Sequence, residues 1–410
     1  MKKLLLVLLI LSLFINHLNA NEKDLNIIQK DKKEYRLLDK ESIQTRQQSQ
    51  KYDWISPIDL SGNIGRNHSF SDENSRNLNN KNTKSASIGF TQSIFESGGI
   101  GFKMDYADNR FKHEMLSWEN QNSQLIYTIY NTLLDIKKLN LEIKQNDYRI
   151  VNKDIELIIK KIQYEAGRAD IIELNNAIMS KNLILKEEIA LKNSLNEKEQ
   201  ELAKYTDLKY DEIEILDFQE TNKDIFLDKN YSILEADAKV EMLNSEYKIK
   251  KSQYLPKLSL SAKASYSTQD EKFNSMINDT NKDDATSSGS LILSMPLYDY
   301  TKSSKIQESK IEVLKQKALV NDLKNETAFE YEQIFTKIDT YLKQNETINK
   351  NIKLYEELIG ANKISSEAGM TSKYDLEILE NTKTINEFDI LINKINILQQ
   401  YAKLYFKIKN

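Results

Sequence analysis

The sequence predicts a mainly helical protein with a small β part, built as two internal repeats of strand, strand and long helical hairpin. Three observations carry this. The 410 residues include only 10 Gly and 3 Pro, too few for an all-β sandwich or an ordinary α/β enzyme, whose connections need turn residues throughout. Apolar residues recur every seventh position in runs free of breakers and every second position in short segments. An offset of about 200 residues lays this pattern onto itself.

Composition narrows the class. Forty per cent hydrophobic and 29% charged residues make an unfolded chain a poor reading. Zero cysteines remove disulfides, thiolate metal sites, cysteine nucleophiles and acyl-cysteine anchors together. A formal charge of -4 gives no electrostatic case for nucleic acid.

In chain order, residues 1–20 read as a secretory signal. Lys2 and Lys3 form the charged start, Leu4 to Ile15 the apolar stretch, and Leu18-Asn19-Ala20 the cleavage site. The apolar run is shorter than the roughly 20 residues a spanning helix needs. Residues 21–53 are expected to form an N-terminal helical segment, 54–205 the first repeat, 206–253 a connecting segment and 254–410 the second repeat.

Each repeat opens on strands. Ile58, Leu60, Gly62 and Ile64 alternate with Asp59, Ser61 and Asn63. Leu258, Leu260, Ala262, Ala264 and Tyr266 alternate with Ser259, Ser261, Lys263, Ser265 and Ser267. Period two gives each strand one apolar and one polar face. Pro57 and Pro256 stand at the strand starts, where a missing N–H costs least. Polar loops are expected over 67–84 and 268–287, with second strands carrying Ala86, Ile88, Phe90 and Ile94, and Leu291, Leu293, Met295 and Leu297.

Long helices follow. From Phe102 to Ala166 there is no Gly or Pro, and a helix of that stretch is about 97 Å long. Ile129, Ile136, Ile143, Ile150, Leu157 and Tyr164 form its heptad seam. The hairpin turns around Gly167 and returns through Tyr205. In the second repeat the seam is Tyr331, Ile338, Ile352 and Ile359, the turn is at Gly369, and the last helix starts near Lys373.

Four strands with one apolar face pose a closure problem. Open edges are not tolerated in lipid, and single-chain outer-membrane barrels need at least about 8 strands. Copies must combine if Asp59, Ser61, Asn63, Ser259, Ser261 and Lys263 are to face a wet lumen. The competing arrangement is a sandwich with the apolar faces buried.

Enzymatic chemistry finds little support. Beyond the signal only His68 and His113 remain, which leaves no histidine-based triad or zinc site. His68 reads as a loop residue. Gly98-Gly99-Ile100-Gly101 lacks the Gly-Lys-Ser/Thr of a phosphate loop and reads as a flexible strand-to-helix junction. The scattered acids alternate with lysines as solvated helix faces. No cofactor is implied and no enzyme is expected.

The layout resembles the TolC-like outer-membrane efflux proteins. Ile94-Phe95-Glu96-Ser97-Gly98-Gly99 and Pro296-Leu297-Tyr298-Asp299 resemble the family's strand-to-helix junctions. Gly167 followed by Ile172-Glu173-Leu174, and Gly369 followed by Tyr374-Asp375-Leu376, resemble its two hairpin tips. The resemblance implies a homotrimer whose protomers each give four strands to a 12-stranded barrel and two helical hairpins to a periplasmic α-barrel tunnel. It implies the outer membrane of a Gram-negative bacterium, and partners in outer-membrane lipid, a periplasmic adaptor and an inner-membrane transporter. The duct itself would be passive. Gly167, Arg168, Gly369 and Met370 become adaptor-docking tips, and Asp375 and Glu173 gate residues.

Three features depart from the family. The N-terminal segment is short and lacks an Asn-Pro pair, and no cysteine is available for acylation. The second gate acid of the best-known member falls on Ile378, with Glu377 and Glu380 out of register. A periplasmic coiled-coil scaffold or adaptor without a pore is the alternative.

Overall fold

The computed structural model describes residues 25–69, 79–270, 282–367 and 372–409. The signal of residues 1–20, Gly369 and Met370 lie outside them. After a short 3-10 turn the elements are α1 (Lys30–Tyr52), β1 (Asp59–Ser69), β2 (Asn79–Phe95), α2 (Gly99–Glu165), α3 (Ile171–Ala203), α4 (Lys223–Asp228), α5 (Tyr231–Ser252), β3 (Lys257–Asp270), β4 (Lys282–Ser294), α6 (Lys302–Glu367) and α7 (Lys373–Lys407). No helix among the described residues is long and apolar enough to cross a membrane.

The chain divides into two compact units. One comprises Met1–Lys40, Leu116–Leu234 and Asn321–Asn410, and its described residues are mainly helical. The other, Glu41–Met115 and Glu235–Val320, carries the sheet.

In the helical unit, Phe226, Ile334, Ile338, Leu404 and Ile408 form a buried cluster, flanked by Tyr331, Phe335, Ile397 and Tyr401. The chain end is tied into it: Ile408 bridges Asn230, and Lys409 N–H donates to the Lys229 carbonyl at 2.8 Å. Glu330 accepts from Lys407 at 2.6 and 2.5 Å and pairs with Lys403 at 2.8 Å. Burial alone would raise the Glu330 pKa, but the two lysines outweigh it and hold the carboxyl below its ordinary value.

The α2 seam begins as the heptad predicts, with Ile129 and Ile136 fully buried. It then leaves that row. Ile143, Ile150 and Leu157 are half-buried and Tyr164 is exposed, while Gln145, Asn146, Asn152 and Ile155 are buried. A helix of 3.6 residues per turn drifts about 20° per heptad, so a strict seven-residue row walks off the contact. Polar side chains take over there. Gln145 donates to the Ile385 carbonyl at 2.9 Å and to Asp389 at 2.7 Å, and Asn152 accepts from Asn381 at 2.9 Å.

The sheet is antiparallel in the order β1-β2-β3-β4. Its strands reach further than the sequence pattern suggested. β2 begins at Asn79 and β4 at Lys282, so part of each expected loop is paired backbone. His68 is a strand residue opposite Asn80, not a loop residue. Polar side chains do not prevent pairing when the backbone ladder supplies the bonds. At Ser93/Phe95 the register shifts, so Phe95, rather than Ile94, stands opposite Leu258.

Candidate functional site

Three places on the chain carry candidate residues: the polar face of the sheet, the strand-to-helix junctions and the hairpin tips. On the sheet, register sets the composition of each face. Asp59, Gly89, Lys263 and Ser288 share one rung. Ser61, Ser87, Ser265 and Thr286 share the next, and Asn63, Ser85, Ser267 and Asp284 the one after. All six luminal candidates, including Ser259 and Ser261, therefore stand on one face. Neighbouring hydroxyls pair across strands, Ser61 with Ser87 at 2.8 Å, Thr91 with Ser261 at 3.0 Å and Ser265 with Thr286 at 2.7 Å. A rotating hydroxyl serves as donor and acceptor alike, so such a face stays compatible with water.

The opposite face carries Leu60, Ile64, Ile88, Tyr266, Leu291 and Leu293. Leu60 is 79% exposed and Leu293 72%. Among the described residues nothing covers this face. The outer edges of β1 and β4 have no strand partner among the described residues either.

The junctions are packed rather than flexible. Ser97 and Gly98 take positive φ, 51° and 88°. Glu96 is buried against Lys103 at 3.0 Å, and Ser97 Oγ donates to the Pro256 carbonyl at 2.6 Å. A Cβ on Gly99 would stand 2.9 Å from Ser252 Oγ, so this glycine serves close packing. At the second junction Asp299 accepts from Tyr254 at 3.1 Å and from Thr301 N–H at 2.8 Å. Its bonds from Thr301 lower its pKa, with Tyr254 and Lys305 adding to the effect. The apolar pair and acid of each junction motif signalled these latches; their partners Lys103, Ser252 and Tyr254 lie in other elements or turns and gave no local sign.

At the first tip, α2 ends in a Schellman turn. Arg168 N–H donates to the Gln163 carbonyl at 2.8 Å and Gly167 N–H to the Tyr164 carbonyl at 2.9 Å, with Gly167 at φ +69°. Arg168 is exposed. Asp170 then caps α3 by accepting from Glu173 N–H at 2.8 Å. The Glu173 carboxylate pairs with Lys160 at 2.7 Å. At the second tip Ser372 caps α7 through Tyr374 N–H at 3.2 Å, and Asp375 stands exposed in the first turn. Asp375 has no ion-pair partner among the described residues.

Among the described residues no group of three or more His, Asp or Glu side chains is placed to hold a metal ion.

Comparison with known proteins follows the same outline. The model of the outer membrane efflux protein family matches residues 224–403. No curated protein sequence matches the chain. Among solved structures, the outer membrane protein VceC of Vibrio cholerae is similar at 12% identity with a TM-score of 0.73, covering 94% of this chain and 93% of its own. The CmeC outer membrane channel of Campylobacter jejuni is similar at 12% identity and a TM-score of 0.70, over 92% of this chain and 84% of its own. The open-state MtrE outer membrane channel of Neisseria gonorrhoeae gives 12% and 0.68, over 94% and 87%. The chain thus has the fold of these outer-membrane channels and, over residues 224–403, the sequence pattern of the outer membrane efflux protein family.

Proposed function

We propose that this protein is the outer-membrane duct of an efflux or type I secretion system, passively conducting solutes or proteins handed to it by an inner-membrane transporter through a periplasmic adaptor. The observation that carries the reading is the four-stranded sheet, apolar and exposed on one face, hydroxyl-rich on the other, with both outer edges unpaired among the described residues. Lipid on the apolar face and water on the polar one satisfy both, and only closure satisfies the edges. Three copies give an even, closable barrel of twelve strands.

In this reading the chain is cleaved after residue 20 and its two repeats, 54–205 and 254–410, each give two strands and one helical hairpin to the trimer. Residues 21–53 form the N-terminal helical segment and 206–253 the connecting segment. The barrel lies in the outer membrane and the hairpins form a periplasmic tunnel. Asp59, Ser61, Asn63, Ser259, Ser261 and Lys263 line the lumen. Gly167, Arg168, Gly369 and Met370 dock the adaptor. Asp375 leads the gate, because three copies of a carboxylate with no ion-pair partner among the described residues attract cations around one axis. Glu173 contributes less, since Lys160 neutralises it. The protein works as a conduit and not as an enzyme.

Native mass spectrometry of the detergent-extracted protein tests the assembly: a trimer is expected, and a stable monomer without detergent overturns the shared barrel. A protein released from membranes by salt alone would instead be the scaffold without a pore. Planar-bilayer recording tests the gate. Asp375→Asn should lower cation selectivity most at low ionic strength, where the Debye length is about 30 Å at 0.01 M, and an unchanged reversal potential there returns Asp375 to a helix-start acid.

A further inference from the structure

The polar face of the sheet is not uniform. On the rung Asp59–Gly89–Lys263 the central strand offers no side chain, and a recess of about 410 Å³ lies over it. That volume falls in the range of small-molecule sites. Its rim carries an acid on β1 and a base on β3, two strand spacings apart, about 9.5 Å between backbones. Ser61, Ser87, Thr91 and Ser261 are among the residues that line the rest.

Two features make this a site and not a chance gap. First, the backbone at Gly89 leaves little room for a side chain. A Cβ there would stand 3.0 Å from the Ala262 carbonyl oxygen and 3.4 Å from Lys263 Cα, so a side chain would press on the neighbouring strand and fill the floor together. Second, both charges are uncommitted. Asp59 and Lys263 are exposed, and neither makes an ion pair or side-chain hydrogen bond with a described residue. The neighbouring hydroxyls, in contrast, are largely paired, Ser61 with Ser87 and Thr91 with Ser261.

We propose that the recess over Gly89 binds small zwitterionic solutes, with the Asp59 carboxylate taking the cationic end and the Lys263 ammonium the anionic end. A monopole gains from one wall and is opposed by the other. A dipolar ion whose charges lie several methylenes apart meets both. Its chain lies over the bare Gly89 backbone, beside the mutually bonded hydroxyls of Thr91 and Ser261. The luminal placement of this face rests on the duct reading, but the recess belongs to the sheet of a single chain.

Saturation-transfer NMR on the full chain in detergent tests this, with 6-aminohexanoate as probe and hexanoate and hexylammonium as monopolar controls. The zwitterion should give roughly fivefold more transfer than either control, the equivalent of one partly exposed ion pair. Asp59→Asn and Lys263→Gln should each remove that excess. The double exchange Asp59→Lys with Lys263→Asp should restore it, because a zwitterion can bind reversed, whereas a purely structural role for either charge would not recover. Equal transfer from all three probes, an excess that survives either single change, or no recovery in the exchanged pair overturns the proposal. Bilayer conductance of the same sample separates the two readings. Charge-dependent binding without conductance sinks the duct and leaves the recess; conductance without such binding sinks the recess alone.

Discussion

The helical core around Leu404 and the four-stranded sheet use the same apolar residue types to opposite ends. Phe226 and Leu404 are fully buried among side chains of their own chain. Leu60 and Leu293, on the sheet, stand mostly exposed. Hydrophobicity is therefore no guide to burial within one protomer; the face on which a residue lies decides what it is meant to meet. A helix seam finds its partner helix in the same chain, whereas a two-sided strand face with nothing above it must be covered by something else.

The largest effect should come from the core. Phe226→Ala removes a fully buried ring that contacts Tyr331 at a centroid distance of 5.6 Å, and such changes cost about 3 to 5 kcal/mol. Leu60→Ala should shift the denaturant midpoint far less in detergent. Helical circular dichroism during denaturant titration measures both, and equal losses would break the contrast between the two regions.

Next in size is a charge on the apolar face. Arg on the lipid side of a barrel costs about 2 to 4 kcal/mol near the midplane. Leu60→Arg should therefore deplete the protein from the outer-membrane fraction, while Ser61→Arg, one residue on and facing the other way, should be tolerated. Equal depletion by both would mean that the two faces do not differ in what they meet.

Much of this architecture was legible in the sequence because two periods carry it. Alternation at Leu258–Tyr266 and the breaker-free run from Phe102 each identify an element from its own residues. The Gly167 turn was legible for the same local reason, since only a left-handed residue closes that helix end without strain. What was not legible depends on distant partners. The drift of the α2 seam onto Gln145, Asn146 and Asn152 needs the positions of Ile385, Asp389 and Asn381. The lost binding of a buried amide is invisible until its acceptor is in place. Strand ends failed differently: His68 and Asn79 look like loop residues because their side chains say nothing of the backbone ladder that holds them. The placement of Asp59 and Lys263 on either side of Gly89 required register, which alternation alone leaves open.

The third test asks whether polar contacts in the helical unit resist pH as its core does. Glu330 is held below its ordinary pKa of 4.5 by Lys403 and Lys407 against the opposing effect of burial. A depressed carboxyl stabilises the fold fully above its unfolded value and loses that contribution as pH falls through the lower folded one. Glu330→Gln should thus cost about 1.5 to 3 kcal/mol at neutral pH, the range for hydrogen bonds to charged groups. The gap between wild type and variant should close once pH drops well below 4.5. A gap that persists there would assign the loss to packing.

The smallest expected effect sits on the sheet's polar face and separates paired hydroxyls from buried amides. Ser61 and Ser87 bond to each other at 2.8 Å while both remain open to solvent. Losing one partner leaves the other free to bond water, so the penalty of an orphaned buried group does not arise. Ser61→Ala and Ser87→Ala should each cost no more than about 0.5 to 1 kcal/mol, and the double change little beyond one of them. Asn152→Ala in the helical unit should cost more, because the Nδ2 of Asn381, which donates to it at 2.9 Å, loses its acceptor in a site that water reaches poorly. A double-mutant cycle read by denaturant titration in detergent gives the coupling for each pair. Coupling at Ser61–Ser87 as large as at Asn152–Asn381 would mean that the polar face is shielded from water, which a water-filled lumen does not allow.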